Sequence, residues 1–87
     1  MRIIFAKSAA KHQIPKSEVL KIINQTTGIK IGISKEGLDK LAWIGLAYLS
    51  QLVEVIAIDF ITYKFVIHAM PISKRKGGEY EQMEGLW

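Results

Sequence analysis

The stretch LAWIGLAYLSQLVEVIAIDFI, residues 41–61, decides the fold, because its apolar character is compatible with a membrane helix, a soluble helix or a hairpin. It is about long enough to span a bilayer, which takes ~20 apolar residues. Glu54 and Asp59 lie inside it, and an acid near the centre of a spanning helix costs about 3 kcal/mol. Val53, Val55, Ile56 and Ile58 are β-branched and favour strand. The reading that follows is two strands, residues 41–47 and 52–58, with a turn over residues 48–51. The first of them stays open to a helix, since Leu41, Ile44, Leu46 and Leu49 nearly fit that period as well.

Working upstream, Ile29, Ile31 and Ile33 alternate with Lys30 and Gly32, a period of two that predicts a half-buried strand. Residues 34–38, with Gly37, read as a turn. Residues 15–25 read as a helix: Pro15 suits a first turn, Glu18 favours the helix dipole, and Val19, Ile22 and Ile23 give an apolar face. Gly28 is placed as the stop signal. Residues 6–12 contain good helix formers, and residues 2–5 are a short apolar run expected to be a first strand. Downstream, residues 59–62 turn, residues 63–70 form a last strand, and Pro71 ends it because proline cannot donate to a ladder. Ser73 is placed to cap a basic helix that Gly77-Gly78 interrupts, and residues 78–87 read as a loose tail or a docking segment. The expected fold is a single α+β domain over residues 1–87, N-terminal helices on one face of a three- to five-stranded antiparallel sheet.

Composition bounds the function. With 49% hydrophobic and 23% charged residues among 87, the chain can order a core, although small domains bury only about 60% of their unfolded surface. Oligomerisation or a partner would add buried area. There is no cysteine, which excludes a disulfide framework and a thiolate zinc site and fits a cytoplasmic location. The opening apolar run is too short for a secretory signal. Two histidines without a paired-carboxylate motif give no metal signature, and no glycine-rich phosphate loop, nucleophile elbow or triad is recognisable. No cofactor is expected. Twelve Lys+Arg against eight Asp+Glu leave a net charge of +4, compatible with RNA or an acidic protein as partner.

Four local patterns resemble a known family. Lys11-His12-Gln13-Ile14-Pro15 followed by Glu18-Val19, Ile44-Gly45 followed by Leu52-Val53-Glu54-Val55, Val66-Ile67-His68-Ala69-Met70-Pro71, and Tyr80-Glu81 are similar, in that order, to segments of the BrnT-type toxins near the RelE and ParE toxins. The resemblance spans about residues 8–81. It implies a RelE-like fold, an RNA-cleaving toxin that slows translation, and neutralisation by a cognate DNA-binding antitoxin of the ribbon-helix-helix type. The chain departs from the pattern at Met70, about where the family carries arginine, and at Gly77 and Gly78, which replace later basic positions. Loss of a phosphate-clamping arginine bears on mechanism more than on fold.

Metal-independent RNA cleavage uses the substrate's 2′-OH as nucleophile, with a base to deprotonate it, an acid for the leaving 5′-oxygen and cations for the phosphorane. His68 is the first candidate for acid or base, since free imidazole changes charge near pH 6.5; a histidine hydrogen-bonded in the sheet is the plain alternative. His12, Lys64 and Arg75 are the further catalytic candidates. Lys11, Lys74, Lys76 and Tyr80 are candidates for RNA binding, through phosphate charge or base stacking, although charge runs are usually solvated faces and Tyr80 can simply pack. Trp43 and the strand Leu and Ile residues read as core. The rival readings are a non-catalytic module that binds RNA or protein, and a ParE-like toxin acting on a protein target.

Overall fold

Alternation along the central strands separates two faces of one sheet, and among the described residues one α-helix covers one of them. The computed structural model describes residues 2–74. In chain order these form β1 (Arg2–Phe5), a 3-10 turn (Lys7–Ala10), α1 (Lys16–Gln25), β2 (Ile29–Ile33), β3 (Asp39–Leu46), a 3-10 turn (Tyr48–Ser50), β4 (Leu52–Phe60), β5 (Tyr63–Pro71) and a last 3-10 turn (Ile72–Lys74). The five strands lie in the order β1-β5-β4-β3-β2. From β2 to β5 the pairing is an antiparallel meander, and β1 joins the edge parallel to β5.

The expected RelE-like arrangement, with helices on a purely antiparallel sheet, is therefore corrected. The described chain is mostly strand, the sheet is mixed, and one α-helix packs on it. Residues 6–12 do not form the first of several helices. Isolated short helices are weakly nucleated, and here Gln13 takes φ 58° while the following Pro15 is extended, so the chain makes only one tight turn. The Ser8 hydroxyl donates to the Ile67 carbonyl at 2.7 Å and ties that turn to β5. Residues 41–46 are strand, as the β-branched partner strand requires, and no helix among the described residues is long and apolar enough to cross a membrane.

Helix α1 begins after Pro15, whose carbonyl accepts the N–H groups of Glu18 and Val19. It ends at Thr26, where the backbone turns extended and the hydroxyl donates back to the Ile22 carbonyl at 2.7 Å. Gly28 has a different use from the expected stop signal. A Cβ there would meet the Trp43 ring at 2.8 Å, so the missing side chain lets the loop pass directly over the indole. Gly45 likewise lets Ile22 approach β3. Val19 and Ile22 pack with Trp43, Val53, Val55, Ala57, Val66 and Ala69 in one core. Full burial of each Val or Ile contributes about 1.5–3 kcal/mol.

Candidate functional site

The odd-numbered residues Val53, Val55 and Ala57 of β4 enter the core below α1, which turns Glu54, Ile56 and Ile58 to the opposite face. On β5 the alternation is interrupted. Val66 pairs with Ala57 and His68 with Ile56, so β5 spends two steps where β4 spends one, and Ile67 is the extra residue of a bulge. Val66 consequently faces the core and His68 faces away from it, beside Glu54.

The result is a carboxylate–imidazole pair. His68 Nε2 lies 3.2 Å from Glu54 Oε1, with the Glu54 side chain 2% exposed and that of His68 30% exposed. Nε2 itself is buried, at ion-pair distance from the carboxylate but not aligned with it as a hydrogen bond. The exposure of the ring thus belongs to its other atoms. Met70, the position where the resemblance called for arginine, lies directly across from Glu54 in the ladder and is also buried. A nearly fully buried carboxylate thus stands at ion-pair distance from a partly exposed imidazole on the face of the sheet away from α1. An imidazole so held and partly open to solvent is equipped for general acid–base chemistry.

Among the described residues, Lys64, Lys11 and His12 do not gather around it. Lys64 shares the face of Val66, opposite to His68, and its ammonium lies 3.2 Å from Asp59, its direct cross-strand partner. Strict alternation would have placed residues 64 and 68 on one face; the bulge separates them. Lys11 is exposed and His12 half-buried in the loop between the first 3-10 turn and α1. Among the described residues no ion pair or side-chain hydrogen bond joins either of them to His68. The backbone of Lys74 closes the 3-10 turn after β5. Arg75, Lys76 and Tyr80 lie outside the described residues. Among the described residues no group of three or more His, Cys, Asp or Glu side chains is placed to hold a metal ion.

Glu54 was missed as a site residue because its sequence setting, between Val53 and Val55, marks only a polar break in an apolar run. Its partner is fixed by cross-strand register and the bulge, neither of which the local pattern displays. Glu18 also does more than favour the helix dipole. Its Oε1 accepts the Tyr48 N–H at 2.8 Å and lies 2.8 Å from the Lys21 ammonium, so α1 grips the turn between β3 and β4. The Lys21 hydrogen bond, aided by the Tyr48 amide, holds the Glu18 carboxyl below the usual carboxylate range. Comparison of the chain with models of known families, with curated proteins and with solved structures gave no match.

Proposed function

We propose that this chain is the toxin of a bacterial toxin–antitoxin pair and acts as a metal-independent endoribonuclease, with His68 as the acid–base group and Glu54 as the residue that positions it. The observation that carries the reading is the Glu54–His68 pair, a buried carboxylate against a partly exposed imidazole. The net charge of +4 and the resemblance of residues 66–71 to the BrnT-type toxins support it. In this scheme the imidazole takes the proton of the 2′-OH as that oxygen attacks the adjacent phosphorus. The bond from phosphorus to the 5′-oxygen breaks, that oxygen takes a proton from solvent water, the imidazolium returns its own proton to solvent, and the product ends in a 2′,3′-cyclic phosphate. Glu54 stabilises the imidazolium formed in the first step. Lys64, held by Asp59 on the other face, has no part in it. The partners are RNA and a neutralising protein, and the site of action is the cytoplasm.

Expression of the chain alone is expected to arrest growth, with RNA fragments ending in cyclic phosphate, and His68→Ala is expected to abolish both effects. Growth arrest with RNA left intact would support a toxin acting on a protein target instead. A second reading has its own observation: because Nε2 is buried against Glu54, the pair can serve to hold β4 to β5 in a module that binds without cutting. RNA binding by the purified chain without cleavage products would favour that module.

A further inference from the structure

Helix α1 leaves open part of the sheet face on which it packs. Helix α1 packs over β3 and β4, and the end of β1 is flanked by the 3-10 turn at Lys7–Ala10. The small side chains Ala6, Ala9 and Ala10 leave a cavity of about 240 Å³ beside Phe5, Ile14 and Val19. Two ammonium groups, Lys7 and Lys16, stand at its walls, and neither is paired with a carboxylate among the described residues. The charge of its lining is one-sided: Lys7 and Lys16 are both basic, and no acid lines it among the described residues. Strand β1 is also the margin of the sheet, with β5 on one side and no strand on the other among the described residues.

We propose that this corner receives an extended acidic segment of a partner protein, which runs along the free edge of β1, seats one large apolar side chain in the cavity and sets its carboxylates against Lys7 and Lys16. Each part of the site selects for that occupant. The cavity is smaller than the ~300–1,000 Å³ typical of small-molecule sites, and its alanine and aliphatic walls fit a side chain better than a cofactor. RNA fits less well, because base binding needs an open aromatic face, and the Phe5 ring is already covered by the Lys16 ammonium at 5.2 Å from its centroid. An open strand edge provides main-chain hydrogen bonds to an extended peptide, while the adjoining pocket provides selectivity. The inference is independent of whether the chain cleaves RNA.

The test titrates the full chain, followed by amide chemical shifts, with a synthetic peptide carrying one phenylalanine flanked by glutamates. Its counterpart with serine in place of the phenylalanine, and a single-stranded RNA oligonucleotide, are titrated in parallel. The phenylalanine peptide is expected to shift residues of β1 and of the cavity wall, and to bind at least about tenfold more tightly than the serine peptide. Ala10→Phe, which fills the cavity from an exposed position, should remove that preference while leaving weak charge-driven binding; Lys7→Glu with Lys16→Glu should weaken both peptides. Equal affinity of the two peptides, a preference that survives Ala10→Phe in a folded variant, or RNA competing at the same residues regardless of Ala10→Phe would overturn the proposal. So would the absence of binding by the phenylalanine peptide.

Discussion

Two acid–base pairs bridge β4 and β5, and they differ in nearly every physical respect. Asp59 and Lys64 sit directly opposite each other next to the hairpin turn, on the face that carries α1, hydrogen-bonded and with the carboxylate 36% exposed. Glu54 and His68 meet diagonally further along the hairpin, on the other face, with the carboxylate withdrawn from water and the imidazole partly in it. The first pair is what a hairpin uses to hold its register. The second puts a titratable ring where it can meet a ligand while its acid stays dry. The residue that separates them is Ile67, whose bulge reverses the alternation between positions 64 and 68.

The largest effect should come from removing that residue. Deletion of Ile67 forces either His68 into the core or Val66 out of it, since a one-residue slip exchanges the two faces. It is expected to cost more than about 4 kcal/mol, beyond the usual range of single changes, and to be seen as loss of a cooperative urea transition. Retention of most of the stability would mean that the bulge does not set the placement of His68.

The two pairs should then separate on truncation. Glu54→Ala leaves an imidazole nitrogen buried without its neighbour and should destabilise by about 1–3 kcal/mol. Asp59→Ala removes a half-exposed partner and should cost only about 0.2–1 kcal/mol. Equal costs, measured by chemical denaturation at neutral pH, would erase the energetic distinction between the pairs.

The smallest effect concerns the third acid with a defined task, Glu18. Its carboxyl is held low in the folded chain by Lys21 and the Tyr48 amide. The unfolded chain therefore binds more protons in that window, and stability rises with pH through it. The contribution should be complete above the ordinary carboxyl range of about pH 4.3 and fade as pH falls through the lowered value. Glu18→Gln should flatten that part of the pH–stability curve, and an unchanged curve would argue against the grip on the β3–β4 turn.

These contrasts also mark what could be read from the residues in order. The meander from β2 to β5 was legible because Ile29, Ile31 and Ile33 alternate and because Val53, Val55 and Ile58 disfavour a helix. The helix was legible from Pro15 and the spacing of Val19 and Ile22. The parallel pairing of β1 was not, since four residues carry no useful period and the partner lies at the far end of the chain. Residues 6–12 misled because helix propensity does not report that Ser8 would bond to Ile67 and that Gln13 would turn left-handed. His68 could be singled out by its chemistry, but Glu54 could not, because an apolar run conceals both the bulge and the diagonal contact. The bulge likewise hides that Lys64 and His68 lie on opposite faces of the sheet.

The proposed role of the Glu54–His68 pair is tested by the RNA cleavage rate of the purified full chain against three variants. The account predicts a loss of about 10²–10⁴-fold for His68→Ala, the share general acid–base groups supply, a smaller loss for Glu54→Gln, and a nearly unchanged rate for Lys64→Met. Undiminished cleavage by His68→Ala, or no cleavage by the unaltered chain, would contradict it.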